Sequence, residues 1–164
     1  MRHGVAETKE SFAETGKDDS LRPLTKEGQW KVKQATKGLR RLVPSIDAIA
    51  TSPFTRAVRT AEILGDEYSG ASIEQLDALT PGSSERKLMT WLRQRDPDAR
   101  VAVVGHNPYL ASLVSWLVTG EAVEERIELR KGGVCLLQFD GAPRMGEALL
   151  VWSLTPAILH RLAR

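Results

Sequence analysis

Residues 100–120 read "RVAVVGHNPYLASLVSWLVTG". The run "RVAVVG" is nearly continuous in apolar residues, which is the signature of a strand buried on both faces rather than wetted on one. After it, "NPYLASLVSWLVTG" reads as an apolar helix with Pro108 in its first turn and Gly120 as its stop. A strand that runs through a short turn into a helix is a building block of a parallel sheet. The rest of the chain repeats the block.

Upstream, "SIDAIATS" (45–52) is a short strand followed at once by "PFTRAVRTAEIL" (53–64), with Ser52 as cap and Pro53 at the first helical position. A weak strand lies near "ASIEQLDAL" (71–79), and "SSERKLMTWLRQRD" (83–96) is a helix begun by Ser83 or Ser84 and stopped before Pro97. "TKEGQWKVKQATKGLRRLV" (25–43) spaces Trp30, Val32, Ala35, Leu39 and Leu42 as one face of an amphipathic helix capped by Thr25. Downstream, "GGVCLLQF" and "EALLVWSL" form a strand pair, and "TPAILHRLAR" a terminal helix or tail. This order predicts an α/β domain spanning residues 1–164, a mostly parallel open sheet with helices on both faces.

Composition narrows the class. With 23 basic against 21 acidic residues and a net charge of +2, nothing in the balance points to nucleic acid. No run is long enough for a membrane span and "MRHGVAETKE" has no apolar segment of a signal peptide. The single Cys135, set in an apolar run, excludes a disulfide framework, reads as a small core residue and predicts a reduced, cytoplasmic setting.

Open parallel sheets bind ligands beyond the carboxyl ends of their strands. Gly105, His106 and Asn107 stand at one such end; Ser52 and Pro53, with Arg56 one turn on, stand at another. Helix N-termini offer unpaired N–H groups to an anion, and arginine adds a planar fork that matches phosphate oxygens. Of three histidines, His3 in "RHG" and His106 in "GHN" lie beside glycine in turn-like contexts, and His160 lies in the tail.

Together "RHG" at the start, "SPFTRAVRTAE" about fifty residues on and "VVGHNP" about fifty further resemble the histidine phosphatase superfamily, with its phosphoglycerate mutase-like fold. "DDSLRPLTKEG", "LTPGSS", "ELRKGGVCLL" and "VWSLTP" resemble its SixA-type phosphohistidine phosphatases. The resemblance implies a first interior strand ending in the triplet. Only its last residues are present here, so Met1 is expected inside that strand, with the natural start upstream or residues lost; the alternative is a real start with a damaged sheet.

The resemblance further implies His3 as nucleophile through a phospho-His3 intermediate. Arg2 and Arg56 would clamp the phosphoryl oxygens, His106 would be protonated beside the dianion, Gly4 would leave room for substrate and Asn107 would border it while fixing the turn. No metal or other cofactor is required, and the chain has no Asp, Glu and His cluster at ligand spacing. Relatives that cleave esters use a carboxylic acid; here "QLDALTPGSSE" offers only Asp77 and Glu85, and neither fits that motif. A phosphohistidine, whose leaving ring can be protonated by solvent, fits better, and only residues 57–104 separate Arg56 from Gly105, too few for the cap of larger relatives. The expected partner is therefore a phosphohistidine-bearing protein of signalling or phosphotransfer type. An ester phosphatase and a non-catalytic phosphate-binding module are the alternatives. Arg59 is expected to pair with Glu62, Arg22 to anchor its loop or edge the pocket, His160 to be solvated, and Trp30, Trp91, Trp116 and Trp152 to lie in the core.

Overall fold

In the computed structural model, which describes residues 1–164 apart from the side chain of residue 125, the β-α alternation is realised. Strands β1 (Ala48–Thr51), β2 (Ser72–Gln75) and β3 (Val101–Val104) form a parallel sheet in the order β2-β1-β3. Helices α2 (Lys26–Leu42), α3 (Thr55–Glu67), α4 (Glu85–Arg93), α5 (Tyr109–Thr119) and α6 (Pro156–Leu162) surround it. A short helix α1 (Lys9–Ala13), capped by Thr8, was not legible in the sequence. Strands β4 (Val134–Gln138) and β5 (Leu149–Leu154) pair antiparallel as a separate ribbon.

The alternation of side chains along β1 and β3 sorts the core into two layers. Ala48 and Ala50, with Val101 and Val103, pack towards α4 and α5 against Leu88, Trp91, Leu110 and Leu113. Ile49 and Val104 face the other way, towards α2, α3 and α6 and the side chains of Leu39, Leu64 and Leu159. This two-sided burial is why "RVAVVG" carries no polar alternation.

The stripe that α2 buries differs from the expected one. Trp30 is 51% exposed and Leu42 42%, whereas Gly28, Val32, Ala35, Thr36, Gly38 and Leu39 are buried. Two glycines sit on that face because backbone passes there: a methyl group on Gly28 would meet the carbonyl of Val5, and one on Gly38 the carbonyl of Leu159. With the chain so close, the bulky Trp30 is turned outward, where its ring meets the edge of His160 at 5.2 Å. His160 is thus half-buried against an indole rather than fully solvated. Trp91 is core as expected, and Trp116 and Trp152 are half-buried. Replacing Gly38 by Ala should push α6 from α2 and cost about 1–3 kcal/mol or more, read as a lower Tm by calorimetry; an unchanged Tm would show that the two helices separate without penalty.

Residues 1–3 lie between β3 and β4. The Met1 nitrogen donates to Val103 O (2.7 Å), Gly105 N to Met1 O, His3 N to Gly105 O and Arg2 N to Gly133 O. Arg2 pairs in parallel with Gly105. Residues 1–3 thus bridge the end of β3 and the turn that leads into β4. Alongside them, β3 and β4 flank an apolar cavity of about 520 Å³ lined by Val101, Val103, Leu113, Val134, Leu136 and Trp152 among others. No helix among the described residues is long and apolar enough to cross a membrane.

Candidate functional site

Three segments come side by side in the fold: β1 leads into Ser52, β3 into Gly105 and His106, and beside them lie Arg2 and His3. The amide of Ser52 donates to Val104 O, which fixes β1 beside β3, and the Arg2–Gly105 bridge adds the third segment. Residues separated by about fifty positions in the chain therefore meet at one end of the sheet. The rings of His3 and His106 lie 5.0 Å apart between centroids.

Each ring is held by one bond. His3 Nδ1 is 2.7 Å from Gly4 O, so Nδ1 carries the hydrogen and donates, and the lone pair is left on Nε2. His106 Nε2 is 2.9 Å from Ser52 Oγ, while its Nδ1 is buried without a partner. Burial lowers the His3 pKa to about 3, opposed by the bond to Gly4 O and reinforced by His106, Arg56 and Arg2. Burial likewise lowers that of His106 to about 4, with Arg56 the next cause. Both rings are thus uncharged at neutral pH. At His106 the charges of Arg56, Arg22 and Arg2 add to the effect of burial, and the negative charge of an anion would act the other way.

The guanidiniums are held from behind. Arg2 Nη1 donates to Leu129 O (3.0 Å), which also accepts from Asn107 Nδ2 (3.1 Å), while Arg2 Nε is buried without a partner. Arg56, only 4% exposed, donates from Nη1 to Asp19 O (2.8 Å) and from Nη2 to Asp19 Oδ2 (3.0 Å), and its Nε has no partner. Arg2 Nε, Arg56 Nε and His106 Nδ1 are polar atoms buried without hydrogen bonds, a costly state in a protein interior. The two guanidinium nitrogens suit a bound oxyanion, and His106 Nδ1 joins them as a donor in the tautomer whose Nε2 accepts from Ser52 Oγ. The apolar cavity of about 520 Å³ touches none of these side chains.

The other expectations fall as follows. Gly4 donates its N–H to Thr60 Oγ1 (3.1 Å), but a side chain on it would strike Val32 of α2. Its missing side chain makes room for a helix rather than for substrate. Asn107 fixes its turn through Leu129, as expected, although its Oδ1 is buried and unpaired. Arg59 pairs with Glu62 (2.9 Å) on the surface. Arg22 anchors its loop through Asp19 Oδ1 (2.7 Å) and Glu7 O (2.7 Å). Glu85 accepts from Ser112 Oγ (3.1 Å). Cys135 is half-buried and points its thiol at Ser153 Oγ.

Sequence reasoning missed Ser52, Asp19 and Thr60 as site residues. Ser52 was read as a helix cap; α3 instead starts at Thr55, and Ser52 Oγ accepts from Phe54 N (3.3 Å) and bonds His106. Thr60 donates to Arg56 O (2.8 Å), joining that residue to Gly4. Asp19 stands in "DDSLRPLT", a stretch that was legible as a motif but gave no sign of which charge it would meet.

Comparison with known proteins identifies the family and the fold. The profile described as histidine phosphatase superfamily (branch 1) matches residues 1–81. The phosphohistidine phosphatase SixA of Escherichia coli (strain K12) is 33% identical over 124 residues, 74% of this chain and 73% of that protein. An uncharacterised protein of Picosynechococcus sp. is 33% identical over 147 residues, 88% of this chain and 86% of that protein. Among solved structures, protein histidine phosphatase SixA complexed with tungstate superimposes with a TM-score of 0.81 at 28% identity, covering 97% of this chain and 96% of that one.

Proposed function

The chain belongs to the histidine phosphatase superfamily, SixA type, and from that premise we propose that it removes the phosphoryl group from phosphohistidine on another protein. The observation that carries this reading is the set of unpaired buried nitrogens around His3: Arg2 Nε, Arg56 Nε and His106 Nδ1. A tetrahedral oxyanion would satisfy all three. That a SixA structure holds tungstate, a tetrahedral oxyanion, supports the same assignment.

The chemistry follows from the tautomer. His3 is neutral, and Gly4 O fixes its hydrogen on Nδ1, so Nε2 presents a lone pair to phosphorus. As a bond forms from Nε2 to phosphorus, the bond from phosphorus to the substrate nitrogen breaks and its electron pair goes to that nitrogen. Water then attacks phospho-His3: a P–O bond forms, the electron pair of the P–N bond returns to Nε2, and the proton of water passes to phosphate. Charge spread over the phosphoryl oxygens is met by Arg2, Arg56 and His106, so that positioning and electrostatics carry the catalysis.

The choice of phosphoramidate over ester rests on the carboxylates. An alkoxide leaving group needs a proton donor. Among the described residues, Asp19 is the carboxylate that touches these cations, and its bond from Arg22, with Arg56 beside it, holds its pKa below the usual carboxylate range. It is thus a poor acid. A histidine phosphotransfer protein of the cytoplasm would be the natural donor. Turnover is measured with a phosphorylated histidine phosphotransfer domain and with p-nitrophenyl phosphate: we expect hydrolysis of the first well above the second. Comparable rates would make the protein an ester phosphatase, and binding of phosphate without turnover of either a phosphate-binding module.

A further inference from the structure

Asp19 has a part in the pocket that the steps above do not use. It sits in a one-turn 3₁₀ segment (Asp19–Leu21), whose start is held by Asp18 accepting from Ser20 N. From there it takes both terminal nitrogens of Arg56, on its own main-chain oxygen and on Oδ2, while Oδ1 takes Arg22 Nε. A guanidinium offers two forks, one end-on through Nη1 and Nη2 and one side-on through Nε and Nη2. Asp19 closes the end-on fork. The side-on fork stays open, with Nε unpaired.

An oxyanion on that open fork shares Nη2 with the Asp19 carboxylate. The two negative groups then lie edge to edge on one cation, and the Asp19 side chain, 47% exposed, can be reached from solvent. Such a carboxylate disfavours a phosphoryl dianion by itself. It favours one whose leaving group is positively charged. We propose that Asp19 sets the leaving-group preference of the pocket: its carboxylate accepts a hydrogen bond from the second, protonated ring nitrogen of a phosphoimidazole and keeps that ring in the form that leaves neutral.

The inference rests on the function proposed above and supplies its missing proton logic. When His3 Nε2 attacks, the electron pair of the breaking P–N bond goes to the leaving ring nitrogen. A ring already protonated at its other nitrogen departs as neutral imidazole, and no acid has to act during the step. An unprotonated ring would depart as the imidazolide anion, a far worse leaving group. The charges that act on or with Asp19 are Arg22 and Asp18 from its own turn, Arg56 from α3, and His106 across the pocket.

The test is Asp19→Asn, which keeps an oxygen for the guanidinium and removes the charge. For phosphohistidine, kcat/KM at pH 8 should fall about tenfold, and the alkaline limb of its pH profile should move down by about one pH unit. For p-nitrophenyl phosphate, whose leaving group carries no ring proton, kcat/KM should rise severalfold and inorganic phosphate should bind more tightly, because a like charge has gone. If both substrates lose the same factor with no movement of the alkaline limb, Asp19 only holds Arg56 and the proposal is wrong. If the wild-type protein turns over p-nitrophenyl phosphate but not phosphohistidine, the functional reading itself fails and this inference falls with it. Asp19→Glu, which keeps the charge, should retain the alkaline limb of the wild type even where kcat drops.

Discussion

Replacing His3 with alanine should lower phosphohistidine turnover by at least about 10⁴-fold while leaving a folded protein, since removal of a covalent nucleophile costs losses of that order. The reason is specific to the site. Gly4 O fixes the ring so that Nε2 alone faces phosphorus, and the other buried imidazole, His106, has its Nε2 tied to Ser52 Oγ. His106 is not arranged to take over. Because the His3 ring hydrogen-bonds only its own neighbour's carbonyl, its loss breaks no hydrogen bond between elements, gives up its packing against the His106 ring and should cost about 1–3 kcal/mol at neutral pH. Phosphate should still bind, through Arg2, Arg56 and His106, so isothermal titration with phosphate and circular dichroism separate a dead enzyme from an unfolded one. Free imidazole, which fits the space left by the ring, should restore a measurable fraction of the rate. Turnover within tenfold of wild type would remove His3 from the nucleophile role.

The second large effect is on acid stability. In the unfolded chain a histidine titrates near 6.5; in the fold, burial holds His3 at about 3 and His106 at about 4. Below pH 6.5 the unfolded chain therefore binds protons that the folded one refuses. With more protons bound in the unfolded state, stability falls as pH falls, beginning at about 6.5 and continuing to the folded values of 3 to 4. The combined loss is of the order of several kcal/mol, since every tenfold difference in proton affinity between the two states corresponds to about 1.4 kcal/mol. Bound phosphate acts in the opposite direction. A dianion beside the imidazoles raises their pKa values and adds its own binding energy to the folded state, so saturating phosphate should move the fall to lower pH. Melting curves between pH 8 and 4, with and without phosphate, measure this directly. His3→Ala should flatten the acid limb, because one of the two depressed imidazoles is gone. An acid limb equally steep in wild type and His3→Ala would show that carboxylates elsewhere, and not these rings, control it.

Both predictions turn on features of unequal visibility in the sequence. The element order was legible because it is written locally: Thr25, Ser84 and Thr155 cap helices with their own side chains, Gly120 stops α5 at a φ of 82°, and "VAVV" has the unbroken apolar character of a doubly covered strand. The face of α2 was misread for the same reason. Periodicity shows which residues can share a face. It does not show that Val5 and Leu159 bring backbone against Gly28 and Gly38 and displace Trp30 outward.

The same division runs through the site. The amino-acid sequence alone determined which chemistry was on offer: two imidazoles beside glycines, two arginines with forks for oxyanions, and strand ends to carry them. Tertiary structure decided what state that chemistry is in. The bond between His106 and Ser52 joins residues 54 positions apart, and the one between Arg56 and Asp19 joins residues 37 apart. The neutrality of the rings comes from desolvation by elements packed around them. Charge state, hydrogen-bond partner and depth are properties of surroundings, and surroundings assembled from distant segments leave no local trace for a sequence pattern to carry.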